Sequence, residues 1–191
     1  MEVSKLDRII EKYTPHISLK SRKEFTSICK EQNFKGGTFL FEPNQPEHSE
    51  HLLLQGMART FLLNTDGEEI TLSFFENNTV LPPFVTRTAK GKSILYCETI
   101  TDCTFAKIDT KVFESLMISN LEISEFGNTV LQQELLHKVN KEIRMASWTA
   151  KERLVQFRKD FTMLENQVPH PMIATYLGIT NVSLSRLRKQ K

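Results

Sequence analysis

The spacing of hydrophobic positions divides the chain into three textures. Over residues 1–33 the apolar positions fall at helical intervals. Leu6, Ile9, Ile10 and Tyr13 form one stripe, and Phe25 and Ile28 begin another after SLKSRKE. Ser21 and Glu24 have the spacing of a capping box and predict the start of that second helix. From residue 34 to 107 the pattern changes to short runs rich in Phe, Leu, Ile and Thr: TFLFEP, EHLLLQGMARTFLLN, EEITLSFF, SILYCETIT and CTFAKI. Turn signals separate them, namely KGG, PNQP, NTDGE, ENN, LPP and KGK. TDGE, between two alternating runs, predicts a hairpin turn, because Asp-Gly accepts positive φ. Six to eight antiparallel strands are predicted, closed as a sandwich or barrel. TVLPPFVTRTAKGKS breaks the series. Pro82 and Pro83 are incompatible with a central strand, so this stretch predicts a loop, with Arg87, Lys90 and Lys92 on a solvated surface. A long loop on a small barrel is where binding groups concentrate.

Beyond residue 110 the period returns to that of a helix. TKVFESLMI is short, and residues 121–147 then run without proline. Leu131, Leu135, Leu136, Val139, Ile143 and Ala146 recur at steps of three and four. A helix of that length spans roughly 35–40 Å at about 1.5 Å per residue. Its stripe has two possible partners, the chain's own barrel or the same helix of a second copy, and the second copy is the preferred reading. TAKERLVQFRKDF predicts a further helix and TMLENQVP a connector. His170-Pro171 fits a helix start, and Met172 or Ile173 with Leu177 gives that helix an apolar face. Gly178 suits a left-handed helix end, Ile179 points inward, and Thr180 is a good N-cap. NVSLSRLRKQ is a second short helix with Val182, Leu184 and Leu187 as packing positions. Two short helices around a Gly-containing turn form the helix-turn-helix pattern.

Charge strengthens that pattern. The net +2 of the 191 residues hides an asymmetry: residues 1–150 carry a balance of −3 and residues 151–191 one of +5. Arg186, Arg188, Lys189 and Lys191 close the chain together, the footprint of a polyanion partner. In a helix-turn-helix the first helix braces on phosphates and the second enters the major groove. There Arg grips guanine and Asn adenine, while Ser and Thr hydroxyls hold phosphates. A basic helical hairpin without DNA is the competing reading.

Other chemistries find little support. Cys29, Cys97 and Cys103 are odd in number and scattered, which argues against disulfides, zinc and iron–sulfur clusters and for buried or half-buried thiols. PEHSEHLLLQG invites comparison with cupin metal enzymes through His48, Glu50 and His51. In a strand His48 and His51 point to opposite faces, and the next histidine is His137. No catalytic triad, P-loop or dinucleotide fingerprint occurs. The expectation is therefore no enzyme, no metal and no cofactor. No run of 18 apolar residues and no signal-peptide core occur, so no membrane partner is expected and the cytoplasm is the expected location.

The order of barrel, long helix and basic helical tail resembles the CRP/FNR superfamily of bacterial transcription regulators. IATYLGITNVSLSRLRK is similar to the family's IA..LG.s...lSR.rk pattern, and QGMARTFLLNTDGEEITLSFF to its hairpin G.vr.....G.e..l..f. The resemblance implies an α+β fold with an N-terminal antiparallel β-roll (a double-stranded β-helix) flanked by helices over 1–120. A dimerisation helix over 121–147 and a helix-turn-helix domain over 148–191 follow. It places Leu131, Leu135, Val139 and Ile143 on the dimer helix. Asn181, Val182 and Arg186 fall where the family reads bases, and Thr180, Ser183 and Ser185 where it touches phosphates or packs the helix entry. Arg188 and Lys189 complete the DNA-facing set. The implied partners are double-stranded DNA, a second copy of the chain, RNA polymerase and an unidentified small effector.

Two departures stand out. The family's nucleotide cassette carries Gly-Glu and, about ten residues later, Arg. Here Pro82-Pro83 and Ser93 occupy those places. Proline offers neither carboxylate nor N–H, and serine cannot replace a charge-assisted phosphate grip. The resemblance thus implies a pocket near Leu81, Pro82, Pro83, Phe84, Ser93 and Ile94 that is not built for cAMP. A regulator that binds cAMP or a related nucleotide is the alternative. The recognition helix is also expected to be the last structural element, with no wing after it.

Overall fold

A computed structural model of the chain describes residues 4–162 and 164–189. It divides into two compact units, residues 1–59 with 74–135 and residues 60–73 with 136–191. Among the described residues no helix is long and apolar enough to cross a membrane.

The first unit opens with α1 (Lys5–Tyr13), capped by Ser4, whose hydroxyl accepts the Asp7 N–H. Leu6, Ile9, Ile10 and Tyr13 are buried, as their spacing predicts. α2 (Leu19–Ser27) is capped by Ser18. Its hydroxyl accepts the Ser21 N–H at 3.2 Å. The predicted Ser21–Glu24 box does not form: the helix begins earlier, Ser21 lies inside its first turn, and Glu24 instead accepts from Asn120 at 2.8 Å.

Ten strands follow among the described residues: β1 (Lys30–Phe34), β2 (Phe39–Phe41), β3 (Ser49–Gln55), β4 (Ala58–Leu63), β5 (Glu69–Phe75), β6 (Thr79–Val80), β7 (Thr88–Ala89), β8 (Lys92–Ser93), β9 (Tyr96–Thr99) and β10 (Cys103–Asp109). The excess over six to eight comes from the two-residue strands β6, β7 and β8, too short to show an alternating pattern. One sheet runs β1-β10-β3-β6, a second β2-β9-β4-β5, and β7-β8 form a small hairpin. β10 is antiparallel to both β1 and β3. This is the expected α+β architecture with an antiparallel β-roll.

The apolar run in β3 is buried on both faces. Leu52 and Leu54 join Ile9, Phe25, Ile108 and Phe126 in a core shared with the helices. Leu53 faces the opposite way, into a second core with Phe41, Phe75, Cys97 and Phe105. A strand covered on both sides reads as continuous apolar sequence. α4 (Thr110–Ser119) leads to α5 (Leu121–Ser147), which spans the range its periodicity predicts. Ile123, Phe126, Gly127 and Val130 bury the start of α5 against the roll; the Phe25 and Phe126 rings meet at a tilt of 56° with centroids 4.9 Å apart.

The second unit holds the β4–β5 turn, the end of α5, and α6 (Ala150–Asp160), α7 (Leu164–Gln167), α8 (His170–Tyr176) and α9 (Asn181–Lys189). The NTDGE turn closes as predicted, with Gly67 at φ 80° and the Asn64 side chain accepting from Asp66 and Glu68 N–H groups. A capping box between Thr149 and Glu152 starts α6. The predicted connector TMLENQVP contains α7; its Met163 lies outside the described residues, as does Lys191 of the basic cluster. Leu154, Phe157, Leu164, Ile173, Tyr176 and Leu184 form the buried centre of the helical part, with the Phe157 and Tyr176 rings 5.7 Å apart.

Candidate nucleic-acid interface and sensor loop

The turn between α8 and α9 is fixed by its backbone. The Ile179 N–H donates to Ala174 O at 3.0 Å and the Gly178 N–H to Thr175 O at 3.1 Å. Gly178 sits at φ 64°, and this pairing is the Schellman ending of α8. Any side chain at Gly178 would also collide with Met145 Cε. Thr180 then caps α9, its hydroxyl accepting the Ser183 N–H at 3.2 Å. Arg153 braces the turn by donating to Leu177 O at 2.9 Å and to Trp148 O at 2.6 Å.

α9 is two-faced. Leu184 is buried and Leu187 half-buried, while Asn181, Ser185, Arg186 and Lys189 are exposed. Val182 does not pack as the sequence predicted: it is 61% exposed, two residues beyond the N-cap, and Arg186 follows one turn later on the same side. Ser183 is half-buried and occupied by the cap. Arg188 is engaged as well. Its Nε lies 3.1 Å from Glu165, and it also contacts His170. Glu165 takes Arg158 in a two-pronged grip at 2.7 and 2.9 Å. That pairing, chiefly, holds the Glu165 carboxyl below its ordinary range. Arg158 and Arg188, like Arg153, therefore brace the helices, and the outward cations described on α9 are Arg186 and Lys189.

A second cluster escaped the sequence reading. The Lys141 ammonium donates to Leu72 O at 2.6 Å and lies 4.0 Å from the Tyr176 ring centre. Burial, with Lys138 nearby, pushes it down to about 7. Lys138 donates to Ser73 at 2.7 Å, and the Thr71 N–H donates to the Thr175 hydroxyl at 3.2 Å. β5 is thus tied to α5 and α8. The lysines occupy ordinary polar positions of α5, and nothing in their spacing sets them apart.

The loop at residues 81–93 differs from its prediction. It contains a short helix, α3 (Phe84–Arg87), and a tight β7–β8 turn with Lys90 and Gly91 both at positive φ. Lys90 and Lys92 are exposed as expected, whereas Arg87 is wholly buried. Its Nε donates to Pro82 O at 3.0 Å, a second nitrogen reaches Ser49 O, and its guanidinium lies 4.4 Å from the Phe41 ring centre. Glu47 lies 4.0 Å from Arg87 and 3.4 Å from His51. Burial alone would raise the Glu47 carboxyl, but His51, Arg87 and the Ser49 N–H outweigh it and hold it well below the ordinary range. Burial depresses the His51 imidazole. The loop's cation is therefore spent inside the fold, because an ionised Glu47 there needs a partner.

The predicted pocket residues differ in exposure. Leu81, Pro82 and Ser93 are buried, and Ile94 is exposed. The Ser93 hydroxyl donates to Leu95 O at 2.7 Å. Pro83 lines a different cavity together with Glu50. Cys97 and Cys103 are buried free thiols and Cys29 a half-buried one. His51 is buried and His48 exposed. Among the described residues no group of three or more His, Cys, Asp or Glu side chains is set to hold a metal ion.

Residues 31–120 match the family model for the cyclic nucleotide-binding domain. No curated protein matches the chain. Among solved structures it is similar to FixK2 of Bradyrhizobium japonicum, with 19% identity, a TM-score of 0.75, and 85% of this chain and 84% of that one covered. It is also similar to CLP of Xanthomonas campestris, described as a c-di-GMP responsive global regulator, with 16% identity, a TM-score of 0.72 and 91% of each chain covered. A transcriptional regulator described as of the crp/fnr family, from Eubacterium rectale, aligns at 17% identity and a TM-score of 0.70, over 91% of this chain and 82% of that one. The molecule therefore has the fold of the CRP/FNR regulators. Within it, residues 31–120 are the part similar to the cyclic nucleotide-binding domain.

Proposed function

We propose that the chain is a sequence-specific DNA-binding transcription regulator that acts as a homodimer. The observation that carries this reading is the two-faced α9. Leu184 anchors it, and Asn181, Val182, Ser185, Arg186 and Lys189 stand outward at the start and along the face that a recognition helix turns to base edges and phosphates. Dimerisation is supported by α5. Leu135, Leu136, Val139 and Ile143 are 66%, 61%, 42% and 53% exposed along one helix. A matching helix from a second copy would cover that row, with Leu131 at its half-buried start. Two copies related by a two-fold axis read half-sites about one helical turn apart.

The effector is unidentified and, in this reading, is not cAMP. The cyclic phosphate would meet Ser93 where a guanidinium is needed, and Arg87 is already committed to Glu47, Pro82 and Ser49. The second reading, a response to cAMP or another cyclic nucleotide, is favoured by the family match over residues 31–120 and by CLP being described as c-di-GMP responsive. Calorimetric titration with cAMP separates the two: micromolar binding supports the second. RNA polymerase in the cytoplasm is the downstream partner of a regulator of this class. The DNA reading is tested by selecting sites from a random duplex pool with the purified protein. Two-fold sites with half-sites about 10 base pairs apart are expected. A pool that shows no enrichment over successive rounds contradicts the proposal.

A further inference from the structure

The first unit holds a cavity of about 150 Å³. Leu52, Ile108, Phe126 and Val130 form its buried floor, and Phe113 and Met117 of α4 its wall. Gly127 lines it on the α5 side and leaves room for Met117, since a Cβ there would press on the Met117 methyl and sulfur. Engineered apolar cavities of about this size hold a single benzene-sized ring.

One polar group is set in the apolar lining. Glu50 is only 9% exposed, and its two carboxylate oxygens share a single donor, the Phe84 N–H, at 3.0 and 3.2 Å. A carboxylate has about four acceptor sites, so most of its capacity faces the cavity unused. Glu114, exposed on α4, also lines the site, and no Lys, Arg or His does. The cation nearest in effect, Arg87, is shared with Glu47. Burial pushes the Glu50 carboxyl up to about 7, with Glu114 and Glu47 adding to the rise and the Phe84 N–H and Arg87 opposing it. A buried acid with spare acceptors, beside a second acid and above an apolar floor, is matched by a ligand with one ring and one ammonium.

We propose that this cavity is a binding site for a small aryl-alkyl amine, its ring on Phe126 and Val130 and its ammonium donating to Glu50. The site borders the place of the nucleotide cassette at Pro83, and its occupant does not depend on DNA binding by α9.

Three probes of one shape test it on the full chain by ligand-observed NMR and calorimetry: phenethylamine, 2-phenylethanol and 3-phenylpropionate. Phenethylamine is expected to bind at one site per chain, at least about ten-fold tighter than the alcohol, since a charge-assisted bond to a buried carboxylate replaces a neutral one; the acid is expected not to bind. Glu50→Gln is expected to bring the amine down to the level of the alcohol. Val85→Trp acts at the exposed rim, where Val85 is 62% accessible and a larger ring leaves the core intact. It is expected to block amine and alcohol alike with the melting curve unchanged. The proposal is overturned if none of the probes binds, if the acid binds as well as the amine, or if Glu50→Gln or Val85→Trp leaves amine binding intact. DNA-site selection by the same protein without probe reads the other proposal separately.

Discussion

Two arginines on short helices of this molecule have opposite fates. Arg186 stands exposed on α9, whose other face is anchored by Leu184. Arg87, at the end of α3, is fully buried among Pro82, Ser49, Phe41 and Glu47. Both look alike in sequence, a basic residue in a polar stretch. What separates them is where their charge is neutralised. Arg87 is answered within the fold and so is part of its stability. Arg186 points to solvent and is available to a partner. A guanidinium inside a folded domain therefore says little about function until its partners are known.

The largest expected effect comes from breaking the buried member of this pair. Arg87→Met should leave Glu47 ionised in the core without its cation and cost about 3–5 kcal/mol of stability. Urea unfolding followed by circular dichroism reads it, and a loss below about 1 kcal/mol would mean that the guanidinium is not structural. Glu50 sharpens the same contrast through pH. Its carboxyl ionises at its ordinary 4.5 in the unfolded chain but near 7 in the fold. The neutral acid's contribution is therefore whole below about 4.5 and fades as pH rises through about 7. Glu50→Gln, which keeps an acceptor for the Phe84 N–H, should gain up to about 3 kcal/mol over the parent at pH 8. The two should converge near pH 4, as measured by unfolding at both pH values; a gain independent of pH would contradict the burial of a raised carboxyl.

The exposed member should behave in the reverse manner. Arg186→Ala is expected to change stability by less than about 0.5 kcal/mol, as surface substitutions do, and a thermal melt checks this. The smallest effect is expected at Lys189. Its replacement by Ala should weaken all DNA sequences evenly and lower the slope of log affinity against log salt by about one. A loss confined to one DNA sequence would instead make Lys189 a base reader.

The spacing of apolar residues carried much of the architecture. α5 over 121–147 and the α8–Gly178–α9 turn could be read from periodicity and from the chemistry of Gly178 and Thr180, because both are set by residues close in sequence. The α2 start was misplaced because Ser18 and Ser21 are both plausible caps, and the choice depends on where the chain enters the helix. The fates of Arg87, Arg188 and Lys141 were hidden for a different reason. Each is settled by a partner far along the chain or by the path of a loop: Glu47 and Pro82 for the first, Glu165 for the second, Leu72 for the third. Polar residues carry no period that reveals such folding back. The missing Gly-Glu and Arg of the cassette were visible, but that Arg87 would turn inward was not.

The most direct test of α9 as the reader is a competition titration of Arg186→Ala and parent protein on the selected site and on random duplex DNA. At fixed salt, affinity for the selected site should fall by roughly 10- to 100-fold, the size of a lost bidentate base contact of about 1–3 kcal/mol. Affinity for random DNA should change far less. Equal affinity of variant and parent for the selected site would contradict the assignment of Arg186 as a base-reading residue.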